Sequence, residues 1–227
     1  MVNLEKGQKV KLQDALNPAQ LFSLEIGIKG SAVYDFSCFG LDSNGRSRDE
    51  YFIFFNNLNC PDNAVVLKGA TNPAVFDINL SDLSPDIIKL GFTATIDGDS
   101  TMGQISQCTI AIRQNNAVCF QMQMSGSDFR NQKAIITVEI YKKDVWRLSA
   151  VGNGFDGGLS ELLKFYGLEE GEDDDNGPPP HPEPVPRQQS TPPQAGQTMQ
   201  EMYQLPNGST AYKYDGEEFM KSADDWV

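Results

Sequence analysis

The chain has one histidine among its 227 residues, His181, and it stands inside a proline run. The rest of the sequence therefore cannot supply a Ser-His-Asp triad, a Cys-His dyad or a histidine-based zinc site. Basic side chains are scarce as well. Eighteen Lys and Arg face 31 Asp and Glu, a formal net charge of −13. No basic patch is visible, which argues against nucleic acid as a partner. Long apolar runs are also missing. The opening Met1-Val2-Asn3-Leu4-Glu5-Lys6-Gly7 has no signal core, and no stretch approaches the ~20 apolar residues of a spanning helix. Any contact with a membrane is expected to be indirect. The cysteines Cys38, Cys60, Cys108 and Cys119 form no Cys-x-x-Cys pair. They are expected to be buried thiols in a reducing cytoplasm.

The negative charge is unevenly placed. Residues 169–227 hold 13 acidic and 3 basic side chains, a net of −10, so residues 1–168 carry only −3. Within residues 1–168 the pattern is that of strands. Phe22, Leu24, Ile26 and Ile28 alternate with Ser23, Glu25 and Gly27, the period of a half-buried strand. The runs Tyr34–Leu41 and Asp49–Asn57 are rich in aromatics and flank Asn44-Gly45, a hairpin signal in which both turn residues tolerate positive φ. Asn115-Asn116, between Ile105–Arg113 and Ala117–Met124, is a second such signal. Lys142-Lys143-Asp144 is a third, and Cys60-Pro61-Asp62 reads as a turn. Strands linked by short turns predict an all-β fold, an antiparallel β-sandwich. One helix is expected at Leu159–Tyr166, where Leu159, Leu162, Leu163 and Tyr166 follow helical spacing and Gly167 suits a stop.

The composition divides the chain into three parts: a sandwich domain over 1–168, an acidic and proline-rich linker over 169–198, and a C-terminal segment over 199–227. The last part regains aromatics, among them Tyr203, Tyr212, Tyr214, Phe219 and Trp226, yet is too short for a core of its own. It is expected to dock on a partner protein or on its own domain.

No reacting constellation stands out, so the chain is expected not to be an enzyme and to have no catalytic residues. A hard cation is the better chemical candidate, because calcium takes oxygen ligands from carboxylates, amides and carbonyls. Asp35 shares a pleat face with Ser37, Phe39 and Leu41, where a carboxylate needs a partner. Asn56 and Asn57 lie at the far end of the hairpin, so Asp35, Asn56 and Asn57 form the candidate metal set. Asp97-Gly98-Asp99 is oxygen-rich too, but is equally ordinary turn chemistry.

Two stretches resemble a known family. Tyr34-Asp35-Phe36-Ser37-Cys38-Phe39-Gly40-Leu41, followed by Arg48-Asp49-Glu50-Tyr51-Phe52-Ile53-Phe54-Phe55-Asn56-Asn57, is similar to the TerD signature D-x-D-x-S-x-F-x-L, a turn, and D-F-x-F-Y-N-N. Ala150-Val151-Gly152-Asn153-Gly154-Phe155-Asp156-Gly157-Gly158-Leu159 resembles its A-V-G-Q-G-[YF]-x-G-G-L. The chain thus looks like a divergent member of the TerD family of tellurium-resistance and stress-response proteins, closest in character to its TerA type. The resemblance implies a β-sandwich in the cytoplasm, calcium binding in many members, and no firmly attached enzymatic activity. It also marks departures. Val33 and Tyr51 stand where the family has aspartates. Val66-Leu67-Lys68-Gly69-Ala70-Thr71-Asn72-Pro73-Ala74 stands where its glycine- and aspartate-rich calcium stretch belongs. The expectation is a non-catalytic interaction module of a stress-resistance assembly. Its calcium site would be degenerate or weak, with no cofactor required and partner proteins bound through Met199–Val227. A working calcium sensor and a cryptic enzyme are the alternatives.

Overall fold

The computed structural model describes residues 1–169 and the strand segments 199–204, 210–214 and 217–221. The linker expected over 169–198 lies, beyond Glu169, outside the described residues. Two compact units divide the chain, Met1–Gly171 and Glu172–Val227.

The first unit is a sandwich of two six-stranded sheets. Sheet A contains β1 (Val2–Leu4), β3 (Phe22–Lys29), β6 (Val65–Gly69), β7 (Ala74–Ile78), β9 (Gln107–Gln114) and β10 (Ala117–Met124). Their spatial order is β1-β10-β9-β3-β7-β6. Sheet B contains β2 (Lys9–Lys11), β4 (Tyr34–Leu41), β5 (Ser47–Ile53), β8 (Lys89–Ile96), β11 (Ala134–Lys142) and β12 (Trp146–Phe155), in the order β2-β12-β11-β8-β4-β5. The pairing of β1 with β10 is parallel and the others within these sheets are antiparallel. The all-β expectation holds. Sequence patterning did not anticipate β1, whose three residues are too few to show a period.

Alternation along each strand sends one set of side chains between the sheets. On β3 these are Phe22, Leu24, Ile26 and Ile28, all buried, as the alternation predicts. Phe76 of sheet A meets Phe92 of sheet B edge-on with ring centroids 5.2 Å apart. The four cysteines are free thiols and buried. At the β9–β10 hairpin both Asn115 and Asn116 adopt positive φ, 52° and 64°, which is the backbone of a two-residue turn.

Helix α1 (Gly158–Phe165) matches the predicted helix within one residue. It closes with the Leu168 amide donating to the Leu163 carbonyl, and it covers part of sheet B's outer face. Here Leu162, Leu163 and Tyr166 pack on Phe39, Leu41, Ala134 and Ile136, a second core outside the sandwich. Gly91 of β8 makes this contact possible. A Cβ on Gly91 would stand 2.5 Å from the Tyr166 hydroxyl. No described helix is long and apolar enough to cross a membrane.

The second unit contributes β13 (Met199–Gln204), β14 (Thr210–Tyr214) and β15 (Glu217–Lys221), an antiparallel sheet in sequence order. The segment expected to lack a core of its own therefore contains a three-stranded meander.

Candidate functional site

The β4–β5 hairpin carries the candidate site, and its turn is built by Asp42. The Asp42 carboxylate accepts the amides of Asn44, at 2.8 Å, and Arg46, at 3.0 Å. The Gly45 amide donates to the Asp42 carbonyl, and the Asp42 amide to that of Arg46. Gly45 alone has positive φ, 75°, so Asn44 does not share that role as its type suggests. The Arg46 amide leads the contacts that hold the Asp42 carboxyl below its ordinary range.

Beyond the turn the ladder slips. Leu41 pairs with Ser47, yet Phe39 pairs with Phe52, so β5 carries a wide bulge against Gly40. The bulge turns Tyr51 inward across Gly40, where a Cβ would sit 2.9 Å from the tyrosine ring. The Tyr51 hydroxyl then donates to Asp62 Oδ2 at 2.8 Å.

Asp62 is a hub. Its Oδ2 also accepts the Ser84 amide at 2.8 Å. Its Oδ1 accepts the Ala64 amide at 3.0 Å and the Cys60 thiol at 2.9 Å. Burial pushes this carboxyl up, but the hydrogen bonds from Cys60, Ser84, Ala64 and Tyr51 outweigh it, and the net shift is downward. Burial, reinforced by Asp62, pushes both Tyr51 and Cys60 up to about 12. At neutral pH the group is thus one carboxylate facing two protonated donors. The Cys60 thiol is not a nucleophile in this state. The sequence around Asp62 shows only a turn, since Tyr51 and Ser84 lie 11 and 22 residues away.

The predicted strand ending at Asn57 stops instead at Ile53. The Asn57 amide group donates to the Phe52 carbonyl at 2.8 Å, and Phe54 and Asn57 exchange backbone hydrogen bonds, folding the chain into a turn. Asn56 is exposed on that turn. Asp35 is half-buried on β4 opposite Thr95, is engaged by an interaction, and lies beyond the last β4–β5 pair, Cys38–Ile53. Val33, at the other position of the family's aspartate pair, is 58% exposed.

The donor chemistry can be weighed against calcium. Asp35, Asn56 and Asn57 offer one carboxylate and two amides, and the Asn57 amide nitrogen is already committed. Among the described residues no group of three or more His, Cys, Asp or Glu could hold a metal ion. The segment 66–74, which stands in place of the calcium stretch the resemblance implies, runs from β6 through a bend into β7. Its Asn72 accepts from the Ile28 amide at 2.9 Å and donates to the Ile28 carbonyl at 2.6 Å. This asparagine extends the β3–β7 ladder past Ile26–Ala74 by mimicking a peptide unit. The set therefore does not fit a charge-rich calcium site, whose affinity follows ligand charge and rigidity.

Along the outer face runs a series of ring contacts: Phe155–Phe165–Tyr166–Phe39–Phe52–Phe54–Phe55, with successive centroids 4.5 to 5.3 Å apart. It ties α1 to the hairpin.

The chain is similar to known proteins. The chain is 32% identical to general stress protein 16U of Bacillus subtilis over 75% of its length and 99% of that protein. It is 30% identical to the tellurium resistance protein TerA of an Alcaligenes species, over 51% of the chain but only 34% of that longer protein. The crystal structure of a Streptomyces coelicolor homologue of telluride resistance protein TerD has the same fold. It superposes with a TM-score of 0.51 at 15% identity, covering 64% of this chain and 95% of that one. The TerD domain model matches residues 1–166, and with these relatives it places the chain in the TerD family.

Proposed function

We propose that this chain is a non-catalytic stress- and tellurite-resistance protein of the cytoplasm that works by binding other proteins, with a degenerate calcium site at Asp35, Asn56 and Asn57. The reading draws on the names of its relatives, a tellurium resistance protein and a general stress protein. The observation that carries it is the use made of the polar groups that follow the hairpin. Asp62 accepts four donors, Asn72 is spent on the Ile28 backbone, and Asn57 closes its own turn. These groups hold strands together. The high thiol pKa of Cys60 and the absence of histidine from residues 1–169 favour binding over catalysis. Met199–Val227 is assigned to partner binding, and its side chains lie outside the described residues.

Calorimetric titration with calcium, paired with melting curves in calcium and in chelator, tests the site. Binding no tighter than the millimolar range and an unchanged melting temperature are expected. Micromolar binding with strong stabilisation, abolished by Asp35→Asn, would instead establish the calcium-sensor alternative.

A further inference from the structure

The outer face of sheet B is only partly covered by α1. Toward β2 the registers bring together side chains far apart in sequence. One row reads Lys11, Arg147, Tyr141, Lys89 and Leu41 across the sheet. The next reads Lys9, Ser149, Glu139, Gly91 and Phe39. Both rows face away from the sandwich, because Val10, Leu148, Ile140 and Leu90, their neighbours along each strand, pack in its core. In a domain of net charge −3 these rows gather four cations and one carboxylate. Glu139 is matched by Lys89 at 3.4 Å. Among the described residues Lys9, Lys11 and Arg147 form no ion pair.

Arg147 is the telling member. Its side chain is half-buried, and its Nε is sequestered from solvent without a hydrogen-bond partner. The planar fork of a guanidinium suits a carboxylate. Tyr141 stands between Arg147 and Lys89 in the row and adds an aromatic side chain to it.

We propose that this face docks an acidic peptide: an extended, Asp- or Glu-bearing segment of a partner protein laid across β2, β12, β11 and β8, with Arg147 at its centre. The dimensions agree. Three strand spacings span about 14 Å, and an extended peptide presents like-facing side chains about 7 Å apart, within reach of flexible Lys and Arg termini. A nucleic acid fits worse, since the net charge of −13 repels a long polyanion while a short row can still hold a few carboxylates. The inference does not involve the hairpin or calcium.

The test uses the full chain in chelator at low salt, with a fluorescein-labelled (Glu-Ser)4 peptide followed by anisotropy. Saturable binding is expected, weakened at least tenfold by Lys9→Gln/Lys11→Gln and again by Arg147→Gln, weakened by added salt, and unchanged by Lys68→Gln in sheet A. The Gln-Ser counterpart should not bind. The paired lysine variant alters exposed positions only, so it stands even if Arg147→Gln fails to fold. Absence of binding by the natural chain would overturn the proposal, as would equal binding by the lysine variant. Equal or tighter binding of a single-stranded oligonucleotide of the same charge would overturn it as well.

Discussion

The hydroxyl of Tyr51 reaches Oδ2 of Asp62 at 2.8 Å and so fastens the edge strand β5 to the loop that enters sheet A. Tyr51 stands where the family pattern has an aspartate, and two carboxylates could not have made this contact. Tyr51→Phe removes one donor to a half-buried charged acceptor and should cost about 1.5–3 kcal/mol in urea unfolding. Asp62→Ala strands the Tyr51, Cys60, Ala64 and Ser84 donors together and should cost more. If Tyr51→Phe costs nothing, the contact does not fasten the strand.

The same cluster sets the response to pH. The folded-state pKa of Asp62 is depressed, so its contribution is present above the unfolded carboxylate value of about 3.9 and is lost as pH falls through the folded value. Acid unfolding should therefore be less steep in Asp62→Asn. Tyr51 and Cys60 shift the other way, from ordinary values of 10.0 and 9.0 to about 12. Their contribution is complete below pH 9 and disappears as pH rises toward 12, so the melting temperature should fall across that window.

Tyr166 is held beneath α1 with its hydroxyl buried and without a partner, and burial raises its pKa strongly. Removing an unsatisfied hydroxyl removes a desolvation penalty. Tyr166→Phe should be neutral or stabilising by melting temperature, whereas Gly91→Ala, which drives a methyl against that ring, should cost about 1–3 kcal/mol. A large loss in Tyr166→Phe would show that the hydroxyl does have a partner.

Asn72→Ala deletes both bonds to the Ile28 backbone and leaves a half-buried amide and carbonyl unanswered. A cost of about 1–3 kcal/mol is expected. Hydrogen exchange should accelerate at the Ile28 amide first.

The four thiols are buried, and burial raises Cys38, Cys60 and Cys108 above their ordinary range. None should react with a thiol reagent at neutral pH in the native protein, and all four should react in denaturant.

Local features were legible in the sequence because their causes are local. The alternation of Phe22–Ile28, the Asn115-Asn116 turn and the leucine spacing of α1 each depend on residues a few positions apart, and each is present as expected. The aromatic run Phe52–Phe55 misled for the same reason. It continues a strand pattern, yet the Asn57 side chain caps Phe52 and ends the strand. The Asp62 hub and the cation row escaped because they are properties of register. Lys11 and Arg147 become neighbours only when β2 pairs with β12. Asp35 stands out in the sequence as a carboxylate needing company, and Thr95 is its cross-strand neighbour.

The chain of rings from Phe155 to Phe55 has a mechanical consequence. β5 has a single neighbour in its sheet, and its ladder with β4 is broken by the bulge, so backbone bonds alone hold it weakly. The rings supply the missing attachment from the side, and they connect it to the helix. Loosening α1 should remove the support under Phe39 and Phe52 in turn, and the turn at Phe54–Asn57 that follows β5 should loosen with it. Helix and turn should therefore exchange their amides as one unit while the two sheets stay closed, an outcome that native-state hydrogen exchange would read.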